Sequence, residues 1–257
     1  MTNGRLAGKR ALVTGGSRGI GAAIVRKLAS QGATVAVNYV SNAQTAEALV
    51  DELTGAGHQA AAFRADVSDP AQTKDLVGRV TAAFGGLDLI ASNAGTEHFG
   101  PLESITADDF DRVFRINVAG QLFIAQAAAA QMGAGSRIVL TSSISARIAV
   151  YQHTLYAASK AAVSAMVLNL APELAAKGIA INAIAPGGTA TDMAAEYAEK
   201  YIHPALADVP PDKVQASMNA LGRLAKPDEI ASVVAFLLSP DASYITGSTL
   251  DAAGGWI

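Results

Sequence analysis

The chain has 257 residues, 51% of them apolar and 16% charged, and a length near the limit of one hydrophobic core, so a single domain over residues 1–257 is expected. A formal net charge of -3 offers no basic field for nucleic acid or anionic lipid, which leaves a small molecule as the expected partner. The absence of cysteine excludes disulfides, thiolate nucleophiles and cysteine-based zinc sites, and no apolar stretch is long enough to cross a bilayer.

Taken in chain order, apolar runs recur at 10–14, 34–39, 60–66, 87–92, 137–142, 179–185 and 248–252. They are continuous rather than alternating, the pattern of strands buried on both faces. Helical stretches lie between them, with start signals at Asp69 before Pro70, at Thr106 with Asp109 three residues on, and at Pro227 followed by Asp228 and Glu229. Strand and helix alternating in this way predict an α/β fold, a doubly wound open parallel sheet with helices on both faces. Two features break the rhythm. Pro172 is expected to kink or shorten the last turns of its helix, and residues 193–221, with three prolines, form an insert too long for an ordinary connection and placed where a substrate lid would sit.

The first strand runs into TGGSRGIG, residues 14–21, and a helix follows at once. Gly15, Gly19 and Gly21 allow a tight turn and close approach to a pyrophosphate, whose charge meets free amides at the helix amino-terminus. Three more stretches fall at strand carboxyl ends, the edge where open parallel sheets bind ligands: Asp66 with Val67, SNAG (92–95) and PGGTATD (186–192). In LYAASKAAV, residues 155–163, a phenol and an ammonium stand four residues apart and share one helical face. A free tyrosine titrates near pH ~10, and a neighbouring positive charge is expected to lower that value. The four histidines, His58, His98, His153 and His203, are scattered without ligand spacing, so no metal site is expected. The amino-terminal MTNGRLAGKR lacks the apolar run of a signal peptide, which points to the cytoplasm.

With TGGSRGIG, SNAG, Asn117, Ser143, Tyr156 with Lys160, PGGT (186–189) and the closing DAAGG (251–255), nearly the whole chain resembles the short-chain dehydrogenase/reductase family. Ser92 stands where the family usually has asparagine. The resemblance implies a catalytic set of Asn117, Ser143, Tyr156 and Lys160. In it Tyr156 exchanges the proton, Ser143 hydrogen-bonds the same substrate oxygen, and Lys160 holds the nicotinamide ribose. Asn117 positions a water that links Lys160 to solvent. Ser142 should point away from Ser143 if the strand pleat continues. By the same resemblance, the cofactor is bordered by Gly15, Ser17, Arg18, Gly19, Ile20, Gly21, Tyr39, Asp66, Val67, Asn93, Ala94, Gly95, Pro186 and Gly187, with Thr189 and Thr191 at the carboxamide. A homotetramer is also implied.

The end of the second strand bears on the cofactor. Enzymes using NAD usually carry a carboxylate there, about twenty residues past the glycine turn, whereas this chain has Asn38, Tyr39, Val40, Ser41 and Asn42. Arg18 can reach a 2'-phosphate, with Ser41 and Asn42 as neutral donors, so NADP(H) is expected. Residues 91–103, 110–123 and 185–193 look most like hydroxynaphthalene reductases and related ketoreductases, which implies a cyclic or aromatic ketone. A sugar or polyol dehydrogenase is the alternative, and a cofactor-sensing protein without turnover a more distant one. Glu97, His98, Tyr151, Tyr197, Tyr201 and His203 are candidates for the pocket wall.

Overall fold

Runs with no polar alternation must bury both faces, and they do so in the computed structural model, which describes residues 4–256. Met1 to Asn3 and Ile257, the ends of the expected 1–257 domain, lie outside the described residues. β1 (Arg10–Thr14), β2 (Thr34–Tyr39), β3 (Ala60–Arg64), β4 (Leu89–Ser92), β5 (Arg137–Thr141), β6 (Ala180–Pro186) and β7 (Thr249–Ala252) form one parallel sheet in the order β3-β2-β1-β4-β5-β6-β7. All seven expected runs become strands: β1 and β2 match to the residue, β6 is shifted by one, and β3, β4, β5 and β7 are shorter. β3 stops two residues before Asp66, whose carboxylate accepts from the Ser68 amide at 2.9 Å and starts the turn into the next helix.

Successive strand residues feed opposite cores. Ala11 and Val13 of β1 join one cluster and Leu12 the other. The first cluster is closed by α1 (Gly19–Ser30), α2 (Ala43–Gly55) and α9 (Pro227–Leu237) through residues such as Leu28, Leu49 and Val234. The second is closed by α3 (Pro70–Phe84), α5 (Gly120–Ala129) and α6 (Thr154–Ala175) through Leu76, Ile124 and Val163. Strand order reverses between β1 and β4, so their carboxyl ends open the crevice in which such sheets bind ligands.

Each expected start signal is used. The Asp69 carboxylate accepts from the Ala71 amide at 2.8 Å ahead of Pro70. Thr106 and Asp109 form a capping box for α4 (Ala107–Phe114), and the Glu229 carboxylate accepts from the Lys226 amide at 2.7 Å beside Pro227. Pro172 does not end α6, which continues to Ala175. The residue lies on an exposed face, with Leu168 one turn before it 64% exposed, so water can take the carbonyl that Pro172 leaves without a donor. The insert folds as α7 (Asp192–Glu196), two short 3-10 turns (Ala198–Tyr201 and Pro204–Leu206) and α8 (Pro211–Met218). Among the described residues no helix is long and apolar enough to cross a membrane.

Candidate active site

The glycine turn is built by close backbone packing. Gly15 and Gly19 have φ of 59° and 54°, the left-handed region that favours glycine. Gly21 is required for another reason: a Cβ there would sit 2.0 Å from the Gly15 carbonyl oxygen. Asn38 is buried, accepts from the Gly15 amide at 3.3 Å and donates to the Ala65 carbonyl at 3.0 Å. Asn93 donates to the Gly15 carbonyl at 3.3 Å, and the Thr14 hydroxyl accepts from the amides of Asn93 (3.0 Å) and Ala94 (3.2 Å). The turn and the ends of β2 and β4 are therefore one hydrogen-bonded unit, joined by an asparagine at 38 that motif reading did not single out.

The remaining cofactor candidates surround this unit. Ser17 is half-buried, Arg18 is the exposed N-cap of α1, and Ile20 packs on the first core. Thr191 lies against Gly19, its methyl 3.4 Å from where a Cβ would project, which folds the segment after Pro186 over the turn. Gly187 packs on Ala253, and the Thr189 hydroxyl donates to the Gly187 carbonyl at 3.0 Å. Val67 is buried, and its carbonyl accepts from the Thr73 hydroxyl at 3.2 Å. Tyr39 is half-buried against the core and Ser41 is exposed. Asn42 caps α2, accepting from the Thr45 amide at 3.1 Å, so only its NH2 remains to donate outward.

Across the crevice, α6 carries Tyr156 and Lys160 one turn apart, with the ammonium 5.4 Å from the phenol ring centroid. Lys160 is buried and donates to the Thr141 carbonyl at 2.9 Å; burial lowers its pKa to about 8, opposed by the charge of Glu97. Ser143 follows β5, and its hydroxyl accepts from the Ser145 amide at 3.1 Å. Ser142 faces the other way, as the pleat requires, donating to the Lys160 carbonyl at 2.8 Å. Asn117 lies in a π-helical segment, Arg115–Ala119, between α4 and α5. Its carboxamide accepts from the Thr96 amide at 2.8 Å and donates to the Thr96 carbonyl at 2.9 Å and the Ser159 hydroxyl at 3.0 Å, while its own carbonyl takes Gln121 at 3.0 Å. Gly95 fits between Asn117 and Lys160, where a Cβ would be 3.3 Å from one and 3.4 Å from the other.

The phenol is not tuned as expected. Burial, then the charge of Glu97, pushes the Tyr156 pKa above its ordinary value, and only the Ser143 hydroxyl acts in the other direction. Lys160, whose ammonium donates to the Thr141 carbonyl at 2.9 Å, is not among the groups that lower it.

Glu97 belongs to a cluster that spacing alone did not assemble. Its Oε1 is 2.7 Å from His153 Nε2, and its Oε2 accepts from the Tyr201 hydroxyl at 2.9 Å. The His153 ring stacks on Tyr156 (4.6 Å between centroids, 17° between planes) and on Phe99 (4.2 Å, 15°). Phe99 also meets Tyr197 at 5.9 Å and Tyr201 at 4.9 Å. His153 is therefore not the isolated histidine that its sequence spacing suggests; its place three residues before Tyr156 is the signal that points to it. Of the other pocket candidates, Tyr151 meets His203 edge-on at 5.1 Å, whereas His98 is buried and turned toward Asp109 of α4, 3.8 Å away. A cleft of about 260 Å³ lies outside the ring stack, lined by Phe99, Tyr151, Gln152, Lys200 and Ile202 among others.

The arrangement places the Tyr156 phenol and the Lys160 ammonium at one end of the crevice, beside a backbone turn with no room for a side chain at Gly21. Residues 15–257 match the family model described as "Enoyl-(Acyl carrier protein) reductase". Over 254 residues, 97% of this chain and 95% of the relative, it is 42% identical to the hydroxynaphthalene reductase-like protein Arp2 of Metarhizium anisopliae. It is also 42% identical to the versicolorin reductase stcU of Emericella nidulans, over 98% of this chain and 97% of that one. A short chain dehydrogenase from Burkholderia cenocepacia, solved in complex with NADP, superposes with a TM-score of 0.88 at 43% identity, covering 98% of each chain. A blue fluorescent protein from a metagenomic library, solved in complex with NADPH, gives 0.88 at 41% identity, also over 98% of each. The glycine turn, the serine, tyrosine and lysine around one crevice, and likeness along the whole chain together make this protein an oxidoreductase of the short-chain dehydrogenase/reductase family.

Proposed function

We propose that this enzyme is an NADP(H)-dependent ketoreductase acting on cyclic or aromatic ketones with substantial apolar surface. The observation that carries the reading is the glycine turn, which leaves no room for a side chain at Gly21 and packs on Ala94, whose neighbour Gly95 lies against the Lys160 ammonium beside Tyr156. That cradle suits a dinucleotide pyrophosphate, and the exposed Arg18, with Ser17, Ser41 and the Asn42 amide, suits a 2'-phosphate, since no carboxylate among residues 38–42 opposes it. The relatives solved with NADP and NADPH support the same cofactor. When bound, the nicotinamide supplies or accepts the hydride.

The chain's own groups handle the proton. Tyr156 donates it to the carbonyl oxygen in reduction and removes it from the alcohol in oxidation, and Ser143 steadies the charge developing on that oxygen. Lys160 lies between Asn117 and the ring and serves the ribose. Asn117, held by Thr96 and Ser159, fixes the loop that carries Gly95. Insert 193–221 closes over the substrate as a lid, and the aromatic lining of Phe99, Tyr197 and Tyr201 favours a flat ring over a polyol. The reductase names of the relatives support this ranking over a sugar dehydrogenase, and retention of the whole catalytic set speaks against a silent cofactor sensor. A homotetramer is the assembly that the family resemblance implies, and light scattering tests it. The proposed compartment is the cytoplasm.

The deciding experiment is Tyr156→Phe, which deletes the proton donor and keeps the ring. It should bind NADPH normally and lose at least about a hundredfold in turnover, the lower range for such a group. Retention of more than a tenth of the wild-type rate would refute the assignment.

A further inference from the structure

Three loops that leave different strands meet at Glu97. Glu97 itself follows β4, His153 ends the segment after β5, and Tyr201 belongs to the insert after β6. Glu97 and His153 are only 6% and 1% exposed, so the carboxylate is withdrawn from water and both of its oxygens are engaged by the other two loops. The backbone around them is adjusted to this end. Gln152, next to His153, is the non-glycine residue with a left-handed φ of 55° among the described residues, and its carbonyl accepts from the Gly100 amide at 2.9 Å. A left-handed non-glycine residue costs about 1–2 kcal/mol and persists only where its surroundings impose it. Here it delivers His153 flat against the catalytic phenol.

We propose that Glu97 and His153 form a positioning unit for Tyr156: the carboxylate, engaged by His153 and Tyr201, fixes the imidazole, and the imidazole stacked on the phenol holds its ring in plane. The claim rests on the catalytic role of Tyr156 proposed above. The charged and titratable groups around the phenol are Glu97 from the loop after β4, His153 and Lys160 from α6 and its entry, and Tyr197 and Tyr201 from the insert. Arg112 of α4 acts on Tyr197. Among these the negative charge of Glu97 opposes the phenolate, in the same direction as burial. The enzyme therefore keeps Tyr156 in its donor form, the one that carbonyl reduction consumes, across neutral and mildly alkaline pH.

Glu97→Gln keeps the size of the side chain and removes its charge, whereas Glu97→Asp keeps the charge and withdraws it from its partners. In alcohol oxidation, which needs the phenolate, Glu97→Gln should move the midpoint of the kcat/KM profile down by about one pH unit, raising the rate about tenfold on the acid side of the profile. Glu97→Asp should lower kcat without moving the midpoint, and neither should change NADPH affinity. An unmoved midpoint in Glu97→Gln overturns the proposal. If Glu97→Gln does not fold, Glu97→Asp decides: an unchanged kcat with the carboxylate withdrawn from His153 and Tyr201 overturns the proposal. Turnover above a tenth of the wild-type rate in Tyr156→Phe would instead overturn the underlying site reading, so the two failures are distinguishable.

Discussion

Replacing Gly21 by alanine adds one methyl group at the place where α1 meets the glycine turn. The added carbon would lie 2.0 Å from the Gly15 carbonyl oxygen, 2.9 Å from the Gly15 carbonyl carbon and 2.8 Å from the Asn93 amide nitrogen. Ordinary contacts at carbon begin beyond 3 Å, so the helix start must retreat by about 1 Å, and the groups in the way are backbone and a side chain already bonded to it. Overpacking of this kind costs about 1–3 kcal/mol. The retreat opens the turn on which the cofactor reading depends, so the same energy should appear in binding. NADPH affinity, followed by cofactor fluorescence, should fall about five- to two-hundredfold, with a drop of several degrees in melting temperature. Gly78→Ala in α3 is the control: nothing lies within 4 Å of its added carbon, and a helix interior gains about 0.5–1 kcal/mol from the change. Wild-type NADPH affinity in Gly21→Ala, with Gly78→Ala behaving as expected, would refute the assignment of this turn to the pyrophosphate.

Arg18→Ala should lose about ten- to a hundredfold in kcat/KM with NADPH and little with NADH, because a charge-assisted bond to a 2'-phosphate contributes about 1.5–3 kcal/mol; equal losses with the two cofactors would contradict it. Lys160→Met should be inactive yet more stable at pH 7. Burial lowers the Lys160 pKa from 10.5 to about 8, so keeping it charged and buried costs roughly 3 kcal/mol below pH 8. That cost is relieved as pH rises from 8 to 10.5, because the unfolded chain then holds the extra proton, and the Thr141 carbonyl still receives Gln121 at 3.0 Å in the variant. Denaturant titrations of both proteins across this pH range measure the gain and its decline; a variant less stable than wild type at pH 7 would show that the lysine is not under strain.

The order of strands and helices, the glycine turn and the serine, tyrosine and lysine set were legible in the sequence because each rests on short-range chemistry. Continuous apolar runs specify strands buried on both faces, Asp69 and Thr106 cap helices whatever lies beyond them, and a spacing of four places Tyr156 and Lys160 on one face. Tertiary structure decided what depends on residues far apart in the chain. Asn38 is an ordinary strand residue until Gly15 and Ala65 close on it. The direction of the Tyr156 pKa followed from burial and from Glu97, fifty-nine positions away, rather than from the lysine one turn along. His153 looked isolated because its partners, Glu97 and Tyr201, come from two other loops. Periodicity and spacing report a residue's neighbours along the chain, whereas charge and desolvation act through space, so the elements were written locally and the chemistry of the phenol was set only when three loops met above it.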